Sequence, residues 1–209
     1  MSAVATLPPL PFTPIAAPSM CTDGPRPMKW TREQYYKLSE LGYFEGKRVQ
    51  LIFGEIIEMG NQNRPHALAI GLVLDVLQVV FAGVGFLEVQ TPQPTDDSDP
   101  EPDVRVVAGK RRDYPDDHPR SALLVVEVAD TSLFYDTTTK AELYATAGIA
   151  DYWVLDVENR QLHIFRDPVA LPVGLGATAY GTHITLDATF TVSPLAAPSA
   201  IIAVADLLP

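Results

Sequence analysis

The sequence lacks several features that mark common protein classes. It contains one cysteine, Cys21, so no internal disulfide can form and a small disulfide-stabilised fold is excluded. No apolar run approaches the roughly 18 residues that span a membrane. No basic stretch followed by an apolar segment opens the chain, as it would in a signal peptide. We therefore expect a protein of the cytoplasm with no membrane-spanning segment.

Positive charge is scarce. The chain has 15 lysines and arginines against 26 aspartates and glutamates, which gives a net charge of −11. An acidic chain gains no long-range attraction to phosphate backbones, and this argues against a tight, non-specific nucleic-acid binder. The charge is compatible with a nuclease whose positive charge is local or supplied by a metal ion.

The sequence also has no nucleophile elbow, no phosphate-binding glycine loop and no Cys/His dyad.

The remaining composition is that of a globular protein. The chain has 209 residues, of which 47% are hydrophobic, enough for one domain with a sizeable core. Residues 1–29 hold seven of the 19 prolines without an apolar period, which predicts a mobile tail. We expect residues 30–209 to form a single domain.

Apolar periodicity predicts interleaved helices and strands, and hence an α/β (α+β) fold with a mixed central sheet flanked by helices. The helix that Pro65 opens has apolar residues nearly all round, which predicts that it is well buried. The expected elements are helices at 31–42, 65–83 and 137–147, a β-hairpin at 48–59, a central strand at 122–129, and further strands near 86–90, 103–107, 152–156, 161–166 and 182–186.

Two carboxylates interrupt apolar strands. Glu127 lies within the run Leu123–Val128, and Asp103 begins a short apolar strand directly after Pro102. Burying a carboxylate in a strand costs roughly several kcal/mol of hydration free energy, unless a cation or hydrogen bonds replace the water. Each residue therefore calls for a nearby partner.

Lys140 is the third residue that departs from its surroundings. With Asp136 as the expected N-cap, Lys140 falls in the first helical turn, on the face that carries Leu143 and Tyr144. This face predicts that the lysine points toward the sheet. A lysine near a helix N-terminus is disfavoured by the helix dipole, so its presence there suggests a specific use.

The three residues allow two interpretations. Hard divalent cations take oxygen ligands, so two carboxylates and a backbone carbonyl suffice to hold Mg²⁺, while a lysine positions the attacking water or stabilises the charge on phosphorus. Alternatively, Glu127 and Lys140 form a buried ion pair and Asp103 caps a strand. The residues alone leave both interpretations open.

Three blocks carry a resemblance. Pro102–Val104, then Leu124–Ser132, then the spaced set from Asp136 through Lys140 and Tyr144 to Asp156 resemble the Uma family of restriction endonucleases, within the PD-(D/E)XK nuclease superfamily. The segment Gln50–Ile56 followed by His66 is similar to the family's N-terminal hairpin and helix start. The resemblance covers roughly residues 30–190.

The resemblance implies a restriction-endonuclease-like fold and phosphodiester hydrolysis with Mg²⁺ or Mn²⁺. It implies that Asp103 and Glu127 hold the metal and that Lys140 assists the attack of water. We expect the backbone carbonyl of Val128 to be the third metal ligand. Ala129 stands where the superfamily usually has its lysine, so here the lysine has moved to the following helix. Gln50 and Phe53 stand where the family usually has acidic residues.

Other residues and partners are secondary expectations. Glu55 is a candidate accessory ligand or an ordinary surface residue, and His66 a candidate phosphate contact or a helix cap. Arg105 and residues 110–112 form the best local basic patch. The expected partners are a nucleic-acid substrate, chiefly DNA, and a second copy of the chain, because cutting both strands of a duplex needs two sites. The alternative function is a non-catalytic binding or assembly module with the nuclease fold.

Overall fold

The computed structural model describes residues 25–171 and 178–209, so most of the expected proline-rich tail, 1–29, lies outside the described residues. Helices and strands alternate along the chain. The elements are α1 (Arg32–Glu40), β1 (Val49–Ile52), β2 (Glu55–Glu58), α2 (Arg64–Val80), β3 (Gly85–Glu88), β4 (Val104–Ala108), β5 (Leu124–Ala129), α3 (Leu133–Tyr135), a π-helical turn (Asp136–Lys140), α4 (Ala141–Thr146), β6 (Asp151–Asp156), β7 (Gln161–Ala170), β8 (Thr178–Asp187), β9 (Thr191–Val192) and β10 (Ile202–Ala203).

A six-stranded sheet forms the centre of the fold, in the order β3-β4-β5-β6-β7-β8. Strands β5 and β6 run parallel, and the other neighbouring strands of this sheet run antiparallel. The helical segment from α3 to α4 makes the crossover that a parallel pair requires. The expected mixed central sheet flanked by helices is confirmed.

Each face of the sheet is covered by a different layer. On one face, α2 and the C-terminal residues pack against side chains such as Val126, Val128 and Trp153. On the other face, α4 packs against Val125, Ala129 and Val154. Because successive side chains of a strand point to opposite faces, Glu127 shares the α4 face with Val125 and Ala129.

Two helices differ from their sequence patterns. Helix α2 is amphipathic rather than fully buried. Val79 is 77% exposed, and within the described part of the chain only one side of the helix packs against the sheet. The expectation of a well-buried helix is wrong because apolar residues are common on protein surfaces.

None of the described helices is both long and apolar enough to cross a membrane.

The helical segment that carries Lys140 begins earlier than the sequence predicted. It starts at Leu133, and Asp136 lies inside it with helical backbone angles, so Asp136 is not an N-cap. The α-helix is interrupted by a π-helical turn over Asp136–Lys140. A π turn holds one more residue than an α turn, and such turns occur frequently at functional sites.

Candidate active site

Asp103 directly precedes β4, and Glu127 lies on β5, the antiparallel neighbour of β4. The register of β4 and β5 pairs Val104 with Val126, and continuing it by one residue sets Asp103 opposite Glu127. Val104 packs toward α2, so Asp103 is on the other face, together with Glu127. Both side chains are buried. The strand pairing therefore fixes the two carboxylates side by side, below α4.

Lys140 reaches the same place from the π-helical turn. Its Nζ is 2.9 Å from Oε1 of Glu127 and 3.4 Å from Oδ1 of Asp136. Lys140 is 3% exposed, so the prediction that it points inward is confirmed. Its amine thus lies between two buried carboxylates, of which the sequence had identified only Glu127 as a partner.

Two buried tyrosines hold Glu127 and the π-helical turn in position. The hydroxyl of Tyr144 donates to Oε1 of Glu127 at 2.7 Å, and the hydroxyl of Tyr152 donates to the backbone carbonyl of Asp136 at 2.9 Å. The two rings pack against each other with centroids 4.8 Å apart. The glutamate and the π turn are therefore both attached to one buried aromatic pair.

Asp103 is held by a different set of donors. The backbone N–H of Val128 donates to Oδ2 at 2.9 Å. The other oxygen, Oδ1, contacts Nε2 of His66 at 3.1 Å and accepts from the side-chain amides of Gln62 and Gln90 at 3.4 and 3.2 Å. Hydrogen bonds from several groups replace the water that this carboxylate loses on folding.

The lysine and its two carboxylates have displaced pKa values. Burial raises the pKa of Glu127 to about 7, against the lowering effect of Lys140. Burial also raises the pKa of Asp136, with Lys140 and Ser132 opposing it. Burial lowers the pKa of Lys140, but Glu127 and Asp136 outweigh this and hold it above the usual lysine value. The lysine is therefore protonated at neutral pH.

Asp103 and His66 shift each other in the expected directions. Burial raises the pKa of Asp103, but the hydrogen bond and charge of His66 and the amide of Val128 bring it below the usual aspartate value. Burial lowers the pKa of His66. The hydrogen bond to Asp103 and the charge of that carboxylate raise it, and the net result is a pKa above the usual histidine value. Asp103 is therefore ionised over the whole neutral range.

A cavity of about 90 Å³ opens over these residues. It is lined by Asp103, Glu127, Asp136 and Lys140, and also by Gln50. Oε1 of Gln50 and Oδ1 of Asp136 are buried without a hydrogen-bond partner among the described residues. Neither residue was expected in the site from the sequence. Their signal was weak, since Gln50 alternates normally in a hairpin and Asp136 is a common helix-cap residue.

The sequence matches a protein family described as "Putative restriction endonuclease" over residues 32–193. The chain belongs to this family, Uma2. No curated protein matches the chain. A solved structure, "a putative nuclease belonging to DUF820 from Anabaena variabilis ATCC 29413", has the same fold, with a TM-score of 0.63 and 15% sequence identity over 87% of this chain and 97% of the other. Membership of this family supports a nuclease function, and the structural match shows the shared fold.

The residues of this Uma2 protein fit a hard divalent cation. Among residues 25–171 and 178–209, no three His, Cys, Asp or Glu side chains are already grouped as ligands. Glu127, however, meets both Lys140 and Tyr144 through the same oxygen, Oε1, which leaves Oε2 outside these two contacts. Two neighbouring carboxylates that line a cavity match the oxygen preference of Mg²⁺.

The backbone of Val128 faces the same side. The carbonyl of Ala129 accepts from Val157 on the β6 side, at 3.0 Å. Backbone groups of successive strand residues alternate in direction, so the N–H and C=O of Val128 both point toward Asp103. Val128 also lines the cavity, so its carbonyl is available as a third oxygen.

The secondary candidates of the Uma2 chain divide into two groups. His66 lies in the cavity wall and contacts Asp103, rather than serving as a simple cap. Glu55 is not brought to the described site: it is exposed and pairs with Lys29 at 2.6 Å. Arg105 is fully buried, so its assignment to a surface basic patch is wrong; it lies on β4 facing Glu88, which Arg111 also contacts.

Proposed function

We propose that this protein is a metal-dependent nuclease that hydrolyses phosphodiester bonds of nucleic acid, with DNA as its substrate. The observation that supports this best is the buried lysine that lies between Glu127 and Asp136, next to Asp103, at the wall of a cavity. Displaced pKa values in a cleft are typical of functional sites. Membership of a family of restriction endonucleases gives this arrangement a chemical meaning.

Each residue of the site has a distinct role in the proposal. Asp103 and Glu127, with the carbonyl of Val128, present oxygen ligands for Mg²⁺ or Mn²⁺. The bound cation would polarise the scissile phosphate and lower the pKa of a water. Lys140 remains protonated and donates a hydrogen bond to a phosphate oxygen as negative charge develops there. His66, Gln62 and Gln90 keep the Asp103 carboxylate oriented.

The charge of the chain shapes the expected interaction with DNA. The net charge of −11 opposes long-range attraction to a phosphate backbone. Arg48 lines the cavity and is exposed, so it is a suitable cation to meet a phosphate at its mouth. We propose that two copies of the chain act together, because a duplex has two strands to cut. Cleavage should be strongly inhibited by salt.

Cleavage by the purified full chain tests the proposal. Supercoiled plasmid, single-stranded DNA and RNA are incubated with Mn²⁺ or Mg²⁺, with and without chelator. We expect cleavage of DNA that chelator abolishes and that Lys140→Ala reduces by about a hundredfold or more, the size of effect seen when a group that stabilises transition-state charge is removed.

Lys37→Ala is the matched control. Lys37 is 69% exposed, and its ion-pair partner among the described residues is Glu33 on α1, so we expect its removal to leave cleavage unchanged. The proposal is wrong if well-folded protein cuts none of these substrates at saturating Mn²⁺. Binding of DNA without cleavage would instead favour the non-catalytic module with a nuclease fold.

A further inference from the structure

Asp136 is a charged residue of the site to which the metal-binding scheme assigns no role. It is 2% exposed, lines the cavity and lies 3.4 Å from the amine of Lys140 through Oδ1. That oxygen has no hydrogen-bond partner among the described residues. A buried carboxylate oxygen that has an ion-pair contact with Lys140 but accepts no hydrogen bond is incompletely satisfied, which indicates that the oxygen serves a second state of the site.

The rest of Asp136 is firmly held. Its other oxygen, Oδ2, accepts from the hydroxyl of Ser132 at 2.5 Å. Its backbone carbonyl accepts from Tyr152 at 2.9 Å. Because Asp136 is anchored at these two points, its Oδ1 stays directed at the amine of Lys140, and the residue itself does not move into the cavity.

In the proposed nuclease, Lys140 and the metal ion compete for the carboxylate of Glu127. Its closer contact is with Oε1 of Glu127, at 2.9 Å, and Glu127 is also a proposed metal ligand. An ammonium group and a divalent cation repel each other when they share one carboxylate. The lysine therefore needs another acceptor when Glu127 turns to a cation, and Oδ1 of Asp136 is already within reach.

We propose that Asp136 is a positioning residue, which receives the amine of Lys140 when Glu127 binds a divalent cation. This inference rests on the metal-binding part of the proposed function. The handover keeps the lysine protonated and beside the cavity, and it releases Oε1 of Glu127 from the competing amine. Without Asp136, the lysine stays on Glu127 and competes with the metal.

Metal affinity measured without nucleic acid tests this inference. Mn²⁺ binding to the full-length protein is followed by calorimetry for the wild type, Asp136→Asn, Lys140→Met and the double variant. We expect Asp136→Asn to weaken binding by about tenfold or more, as loss of an orienting partner of a metal ligand does. Lys140→Met binds at least as tightly as the wild type, because the competing amine is gone.

The double variant decides between positioning and direct coordination. If Asp136 acts through Lys140, the double variant binds Mn²⁺ as tightly as Lys140→Met alone. If Asp136 is itself a ligand, or attracts the cation through space, the loss caused by Asp136→Asn persists without the lysine, and the inference is overturned. Unchanged affinity in Asp136→Asn also overturns it.

Ser132→Ala provides a second route should Asp136→Asn fold poorly. It removes the bond to Oδ2 and leaves both carboxylates in place, so we expect a loss of a fewfold that again vanishes in the Lys140→Met background. Circular dichroism confirms folding. A wild type that binds no Mn²⁺ refutes the inference and the proposed function together, whereas a wild type that binds Mn²⁺ without the expected reversal refutes the inference alone.

Discussion

Two buried cations lie on the same face of the sheet with opposite surroundings. Arg105 shares the carboxylate of Glu88 with Arg111, so that two cations meet one anion. Lys140 lies between Glu127 and Asp136, so that one cation meets two anions. Arg105 is on β4, two residues after Asp103, which shows how close the two clusters are along one strand.

The clusters also differ in how completely their polar atoms are bonded. Arg105 donates to Glu88, to Oε1 of Gln93 at 2.9 Å and to the carbonyl of Pro119 at 3.0 Å. In the lysine cluster, Oδ1 of Asp136 accepts no hydrogen bond from the described residues, and the cluster borders a cavity. A closed network stabilises one conformation, whereas excess negative charge at a cavity is suited to attract a cation. Burial of an ion pair alone therefore does not separate a structural cluster from a functional one.

The largest expected difference is in stability. Arg105→Met should lower the free energy of unfolding by about 3 kcal/mol or more, because Glu88, Gln93 and the Pro119 carbonyl lose a buried donor. Urea unfolding of the full chain measures the change. Arg112→Met, at an exposed arginine, is the control and should stay within about 0.5 kcal/mol of the wild type. An equal loss in both variants would remove the contrast between the clusters.

The next effect has the opposite sign and depends on pH. The pKa of Glu127 is raised from 4.5 to about 7, so its contribution to stability is present below pH 4.5 and is lost as pH rises through 7. In metal-free buffer we expect wild-type stability to fall over this window, by up to about 3 kcal/mol from this group. Glu127→Gln removes that contribution, and near pH 8 it should be as stable as the wild type or more so.

Urea unfolding from pH 4.5 to pH 8 measures this slope. Glu33→Gln, at a glutamate that is 82% exposed, provides the matched control and should keep the wild-type slope. A Glu127→Gln variant that is less stable at every pH would show that the lysine cluster is a structural ion pair like that of Arg105.

The smallest effect concerns the tyrosine beneath Glu127. Tyr144→Phe removes one hydrogen bond of 2.7 Å, while Lys140 still bonds to the same oxygen. We expect a loss of about 1 kcal/mol in stability, the usual net value of one such bond. Thermal or urea unfolding measures it, with Tyr43→Phe at an exposed tyrosine as the neutral control. A loss as large as that of Arg105→Met would mean that Tyr144 is essential to the fold.

Much of the site was predictable because local patterns determine it. Glu127 is conspicuous within an apolar run, and strand alternation places it on one face. The apolar face of the following helix orients Lys140 toward the sheet, as observed. The mixed sheet followed from interleaved strand and helix patterns. These inferences need only the neighbours of each residue along the chain.

The remaining features depend on tertiary contacts. Arg105 resembles any arginine in a half-exposed strand, and its burial becomes evident only when Glu88 and Gln93 arrive from β3 and the following loop. Asp136 has the spacing of a helix cap, and the π turn that turns it into a partner of Lys140 has no clear sequence signal. Gln50 enters the site only because its hairpin packs beside the sheet.

The π-helical turn at Asp136–Lys140 also bears on how related sequences are aligned. Its extra residue offsets the positions before it from those after it by one step of an α-helix, or about 100° of rotation. A one-residue deletion between the aspartate and the lysine would turn the amine away from Glu127 even though every residue type was kept. Alignments that place a gap within 136–140 would therefore describe a protein with the same residues and a different site.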